Sequence, residues 1–174
     1  MNEVGADEFL DARLNEAVDV GHGQMPETQL ASVMHRFNAG ETDILLWVGC
    51  AGSYDPRNQK VSQAMVRILR AAGVDFAILG EEESCNAEWA RRAGEEYLYQ
   101  TQAEANVQAL KQYEFRRIVT QCPHCYNTLK NEYPQFGGTW EVLHHSQLIG
   151  ELLAAGRLRP NRPWSGGTVT FHDS

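Results

Sequence analysis

Apolar and polar positions fall into repeating blocks along most of the chain. Ile44-Leu45-Leu46-Trp47-Val48 is an unbroken apolar run, the pattern of a strand covered on both faces. Asp55 and Pro56 then supply an N-cap and a first-turn proline, and Val61, Ala64, Met65, Ile68, Leu69 and Ala72 recur at helical spacing up to Gly73. Val74 to Leu79 predicts a second strand. A helical stretch follows, broken near Gly94, in which Thr101 and Glu104 read as a capping box ahead of Val107 and Leu110. A third strand centres on Arg117 to Thr120, and Pro123 opens a helix carrying Leu129. Trp140 to Leu143 predicts a fourth strand, after which Ser146 caps a helix bearing Leu148, Ile149, Leu152 and Leu153, closed by Gly156. Thr168 to Phe171 begins a fifth strand.

Strands alternating with helices imply an α/β fold: a mostly parallel sheet with helices on both faces, a Rossmann-like three-layer arrangement. Residues 1–43 follow another pattern. Asp7, Glu8, Asp11, Glu16 and Asp19 interleave with Phe9, Leu10, Leu14 and Val18 as a short acidic amphipathic helix. Gly21-His22-Gly23 and Pro26 break it, and Gln29 to Asn38 suits a second helix. The expected organisation is an N-terminal helical arm over 1–43 and a cysteine-rich α/β domain over 44–174. The pattern stops at Ser174 as a strand ends with no helix to cover it, which reads as a fragment of something longer.

Composition narrows the function. A 174-residue chain that is 43% hydrophobic has enough apolar material for a core, which excludes a disordered chain. The 23 acidic against 15 basic residues argue against a nucleic-acid ligand, whose affinity comes from Lys and Arg. The longest apolar run, Ile44 to Ala51, is far short of the roughly 18 residues of a membrane span. No basic segment precedes an apolar stretch at the N-terminus, so a cytoplasmic location is expected.

In that compartment thiols stay reduced, which directs attention to metal binding or redox chemistry at Cys50, Cys85, Cys122 and Cys125. Each predicted strand is followed by such a group: Cys50 after the first, Cys85 after the second, Cys122 and Cys125 after the third, His144 and His145 after the fourth, His172 after the fifth. A parallel sheet places all of these at its carboxyl edge, where such folds bind ligands. A lone cysteine is often just a small buried hydrophobe, but that explains four on one rim poorly. Cys122-Pro123-His124-Cys125 puts two thiols in a first helical turn, where free N–H groups favour thiolate, and His124 between them is placed to tune it. Three chemistries compete. The run Ile118 to Tyr126 looks like the active site of DsbA-type thiol oxidases of the thioredoxin superfamily, though no proline stands where that fold needs a cis-proline. Zinc usually takes two close cysteine pairs, and here there is one. An iron–sulfur cluster tolerates thiolates from scattered loops. His144 and His145, as consecutive strand residues, are expected on opposite faces. Gly49 and Gly52 let backbone approach the site, and Glu81, Glu82 and Glu83 read as a solvated loop.

Together these residues resemble the cysteine-rich CCG domain of heterodisulfide reductase B-type subunits and related Fe–S oxidoreductases, including iron–sulfur subunits of glycolate, lactate and glycerol-3-phosphate oxidation systems. The resemblance rests on Val48-Gly49-Cys50-Ala51-Gly52-Ser53, the spaced Cys85, the stretch from Cys122 to Pro134, and Glu141-Val142-Leu143-His144-His145. The family motif is a cysteine, then Cys-Cys-Gly, then C-x-x-C, often twice in tandem. Here the middle element is Cys85-Asn86-Ala87, lacking the second cysteine and the glycine. The remaining four thiolates suit a 4Fe-4S cluster or zinc rather than the family's non-cubane cluster. The resemblance implies an electron-transfer module in which Cys50, Cys85, Cys122 and Cys125 hold a 4Fe-4S cluster, flanked by His124, His144, His145, Asn86 and His172. The implied partners are a second CCG unit, a ferredoxin-like domain and a dehydrogenase or flavoprotein, with a quinone or thiol acceptor, in the cytoplasm or on the cytoplasmic face of a membrane complex. Two other roles fit the same residues: a degenerate unit used for docking, zinc-bound or metal-free, and a C-x-x-C thiol–disulfide oxidoreductase.

Overall fold

The computed structural model describes residues 42–160 together with 168 and 170. Its centre is a four-stranded parallel sheet of β1 (Thr42–Trp47), β2 (Phe76–Ala77), β3 (Phe115–Thr120) and β4 (Glu141–His144), in the order β2-β1-β3-β4. Leu45 of β1 lies beside Ala77 on one side and Ile118 on the other, while Thr120 of β3 pairs with both Trp47 and His144. Successive strand residues point to opposite faces, so β1 feeds two cores. Leu45 and Trp47 join Ile118 and Val142 on one face; Ile44 and Leu46 join Val119 and Leu143 on the other.

Helices cover both faces, as the alternating pattern predicts. After a short helix α1 (Gly49–Tyr54), α2 (Pro56–Ala71) packs Met65 and Leu69 into the second core. The Asp55 side chain accepts the Asn58 N–H and Pro56 opens the helix, as expected from the sequence. The short α3 (Glu88–Arg92) leads into α4 (Glu96–Leu110), whose Tyr99, Ala103, Val107 and Leu110 fill the first core. Past β3, α5 (Pro123–Asn127) runs into a π-helical turn (Thr128–Glu132) and a 3₁₀ turn (Tyr133–Phe136). After β4, α6 (His145–Ala154) returns Leu148 and Leu152 to the second core. Each fully buried Leu or Ile of this kind contributes roughly 1.5–3 kcal/mol.

Several local expectations are corrected. Thr101 and Glu104 form no capping box: Thr101 sits inside α4 with its hydroxyl donating to the Tyr97 carbonyl. The helix starts six residues earlier, with Glu95 as its N-cap, because Gly94, in the left-handed region, already ends the preceding one. Ser146 is not the cap of α6. That position is His144, whose N–H donates to Gln147 Oε1 at 2.9 Å. The second strand shrinks from Val74–Leu79 to two paired residues, because Val74, Ile78 and Leu79 are buried without joining the ladder. The arm expected over 1–43 lies outside the described residues, save Thr42 and Asp43, which open β1. His172 and the expected fifth strand also lie outside them, save Thr168 and Thr170, which stand in no strand.

The order β2-β1-β3-β4 matters for function. The chain runs from β1 to β2 on one side and then crosses back to β3 on the other, so the carboxyl ends of β1 and β3 form the topological switch point at which such sheets bind ligands. Cys50 follows β1 and Cys122 follows β3.

Candidate metal centre

Four segments build the site. Gly49 has φ +75°, and a Cβ there would stand 3.2 Å from Cys125 Sγ, so the turn between β1 and Cys50 passes directly against the second thiol of the C-x-x-C. Gly49 thus brings backbone up to a thiol, as the sequence suggests. Gly52 makes a close approach as well: a Cβ there would fall 2.5 Å from Gln121 Nε2, one residue before Cys122, and 2.7 Å from Ser62 Oγ of α2.

Glu83 is no solvated loop residue. Its carboxylate accepts the Val48 N–H at 2.9 Å and the Gly49 N–H as well, capping the turn that carries Cys50 from the loop that carries Cys85. Glu82 is also engaged, accepting the Tyr113 hydroxyl. Glu81 is exposed, as a solvated loop requires.

The Cys85 loop is held from behind. Asn106 Nδ2 donates to the Cys85 carbonyl at 3.0 Å and to the Tyr133 hydroxyl at 2.9 Å. The Ala87 N–H points back at Cys85 Sγ, 3.4 Å away. Ala87 has φ +58° and is the only non-glycine with positive φ among the described residues. Such a conformation costs an L-residue about 1–2 kcal/mol, and it is what glycine adopts freely. The backbone of Cys85-Asn86-Ala87 thus keeps a shape suited to the glycine that the resemblance places at the third position.

Cys122 is the N-cap and Cys125 lies in the first turn of α5, as Pro123 predicts. All four cysteines are free; Cys50 is exposed, Cys85 and Cys122 half-buried and Cys125 buried. Their ionisation shows how near they stand. A hydrogen bond from the Cys125 thiol, helped by the N–H groups of Cys125 and His124, pulls Cys122 down to about 5. That same hydrogen bond, with burial, pushes Cys125 far up, and Cys50 and Glu83 add to the push. Burial and the neighbouring Cys85 thiol raise Cys50, with a smaller contribution from Cys122. Cys50 thus acts most strongly with Cys85 and Cys122 with Cys125, and the two pairs feel one another's charge.

No group of three or more His, Cys, Asp or Glu among the described residues already stands in metal-gripping array. The donor set nevertheless fits a thiolate-held group: four free thiols from three loops act on one another electrostatically, and Gly49 brings backbone against one of them.

The described histidines flank the thiols, and the charge of His124 adds to the lowering of Cys122. His124 is exposed, 3.5 Å from Glu88 through Nδ1. His144 and His145 are not on opposite faces, because the strand gives way to helix between them; their ring centres lie 4.2 Å apart. His144 Nε2 lies 3.2 Å from the Gln121 carbonyl, one residue before Cys122, and its ring meets the Tyr126 edge. Burial and His144 lower the proton affinity of His145.

Sequence reading missed Glu83, Asn106, Glu132 and Tyr133. Glu132 accepts from Arg91 at 3.1 Å and Arg92 at 2.6 Å, tying the π-helical turn to α3 just beyond the Cys85 loop. Tyr133, next in sequence, donates its hydroxyl to the Asn86 carbonyl at 3.4 Å. Both lie inside the stretch that carries the family resemblance, which was their one sequence signal.

The family model for the CCG cysteine-rich domain matches residues 44–130, the segment that contains all four thiols. The chain belongs to the CCG cysteine-rich domain family. Among relatives of this CCG domain, the EtfAB:quinone oxidoreductase of Syntrophomonas wolfei is 47% identical over 134 residues, 77% of this chain and 19% of the relative. The probable iron-sulfur-binding oxidoreductase FadF of Bacillus subtilis is 43% identical over 152 residues, 87% of this chain and 21% of the relative. One component of the dihydromethanophenazine:CoB–CoM heterodisulfide reductase of Methanosarcina barkeri is 29% identical over 139 residues, 76% of this chain and 33% of the relative. The CCG domain spans about a fifth of the first two relatives. No solved structure matches it.

Proposed function

We propose that this CCG domain is an electron-transfer iron–sulfur module of a larger oxidoreductase. The observation that carries the reading is the meeting of Cys50, Cys85, Cys122 and Cys125 at the carboxyl edge of β1 and β3, where each thiol shifts the ionisation of others. Relatives named as iron–sulfur-binding and quinone oxidoreductases support it. In this reading the four thiolates hold a 4Fe-4S cluster. When bound, it supplies one-electron transfer without chemistry by the protein itself.

The chain's own residues then have defined work. The N–H groups at the start of α5 favour thiolate at Cys122, the state a ligand must have. Gly49 allows the Cys50 turn to lie against Cys125 without a side chain between them. Glu83 keeps that turn against the Cys85 loop. Exposure of Cys50 leaves one side of the site open to a partner.

The partners proposed are a dehydrogenase or flavoprotein as donor and a quinone or thiol/disulfide as acceptor, with other domains of the same complex alongside. No described helix is long and apolar enough to cross a membrane. We place the module on the cytoplasmic side, where free thiols persist.

Anaerobic reconstitution followed by iron and sulfide assay tests the reading. The expected result is about four irons per chain, lost in Cys50→Ser. Fewer than about two irons, unchanged by Cys50→Ser, would assign the domain to docking instead.

A further inference from the structure

One buried donor near the thiols has no acceptor. Asn86 is only 6% exposed, and its Nδ2 has no hydrogen-bond partner among the described residues. The amide orientation is set, since Oδ1 accepts the Glu88 N–H at 3.1 Å and turning it over would oppose two donors. Asn86 is also fixed through its backbone, whose carbonyl accepts from Tyr133. Leaving a buried donor unpaired costs roughly 1–3 kcal/mol, so an acceptor is to be expected. The residue adjoins Cys85, whose Sγ already receives the Ala87 N–H.

We infer that Asn86 Nδ2 donates a hydrogen bond to a sulfur of the metal-loaded thiolate site, occupying as a donor the place where the family motif has a ligand. The inference rests on the function proposed above. In the free chain the thiols are paired with one another; loading turns them into acceptors carrying negative charge. A buried amide beside Cys85, with its oxygen already committed, is preorganised to meet that charge. Together with the Ala87 N–H it gives the Cys85 sulfur two donors from consecutive residues. Donors to cluster sulfur stabilise the reduced, more negative state and raise the reduction potential.

The test compares wild type with Asn86→Asp and Asn86→Ala after anaerobic reconstitution. Asn86→Asp keeps an oxygen for the Glu88 N–H and removes the donor. Asn86→Ala removes both, and far-UV circular dichroism of each metal-free chain checks that it folds. Redox titration followed by electron paramagnetic resonance is expected to show both variants with wild-type iron content and a more negative midpoint potential. A second readout is cobalt(II) bound to the metal-free chain: the sulfur-to-cobalt charge-transfer band should move to lower energy in both variants, as the thiolates lose a donor. Unchanged midpoint and band in both variants, with wild-type iron, would overturn the inference and leave Asn86 bonded to a buried water. Failure of wild type itself to take up iron or cobalt would instead overturn the underlying function.

Discussion

The carboxylate of Glu83 accepts the backbone N–H of Gly49, and through this contact the loop of Cys85 is fastened to the turn of Cys50. These two cysteines come from different strand–helix units, β2 and β1, so the contact joins segments that the chain itself keeps apart. The same carboxylate also takes the Val48 N–H, so two backbone donors that would otherwise lack partners are satisfied by one side chain.

Replacing Glu83 with Gln leaves one acceptor oxygen and turns an amide N–H₂ toward the second donor. Hydrogen bonds to charged groups are worth about 1.5–3 kcal/mol, so Glu83→Gln should lower stability by about that much. Urea denaturation measures it. Glu104→Gln, on the exposed side of α4, is the control and should change the midpoint negligibly. Equal effects of the two would show that Glu83 is not an anchor.

Ala87 offers a test of opposing effects. Replacing it with Gly relieves about 1–2 kcal/mol of left-handed strain. It also removes a buried methyl, worth about 0.8 kcal/mol, and adds about 0.4–1 kcal/mol of unfolded-chain entropy. These nearly cancel, so Ala87→Gly should sit within about 1 kcal/mol of wild type. Ala90→Gly, at an equally buried site with ordinary helical backbone, lacks the strain relief and should lose about 1.5–2 kcal/mol. A large loss at Ala87 would mean its methyl packing outweighs its backbone strain.

Much of this was readable in the chain. The period of apolar residues gave away β1 and α2, and Pro123 fixed where α5 begins, because strand burial and proline sterics are local effects. The meeting of the cysteines followed from strand–helix alternation, which puts every strand's end on one edge. What escaped were long-range partners. Nothing local separates Glu83 from Glu81 and Glu82; only the fold brings Val48 and Gly49 to it. Thr101 misled because a Ser/Thr–Glu spacing occurs inside helices as readily as at their ends, while the break near Gly94, two turns earlier, already marked the helix start. The two histidines were misplaced because the strand ends between them, a boundary that alternation does not mark.

Thiol reactivity in the metal-free chain sets access against ionisation. Cys50 is the most exposed, but its proton affinity is raised; Cys122 is half-buried and titrates at about 5. At about pH 6.5 Cys122 is almost wholly thiolate, while a thiol at or above its ordinary value of 9.0 is thiolate in under about 1% of molecules. Lower basicity makes Cys122 thiolate intrinsically slower, by about a hundredfold over four units, so its net lead is only several-fold. Iodoacetamide labelling read by peptide mass spectrometry should therefore favour Cys122 at about pH 6.5, with Cys50 gaining on it at about pH 9. Cys50 leading at both pH values would show that exposure alone governs the site.

Acid should act through Glu132. Burial would raise its proton affinity, but hydrogen bonds from Arg91 and the charges of Arg92 and Arg91 outweigh it and hold the carboxyl below its ordinary value. A folded-state value below the unfolded one means that the unfolded chain binds the proton first. The stabilisation is then complete above about pH 4.5 and is lost as pH falls through the lower folded value. Glu132→Gln keeps the shape but not the charge, so it should lower the urea midpoint at pH 7 and flatten its decline below about pH 4.5. The variant should also loosen the hold of α3 on the π-helical turn, seen as faster amide exchange from Asn86 to Arg92. A midpoint in Glu132→Gln that still falls with acid as steeply as wild type would place the acid-sensitive carboxylate elsewhere.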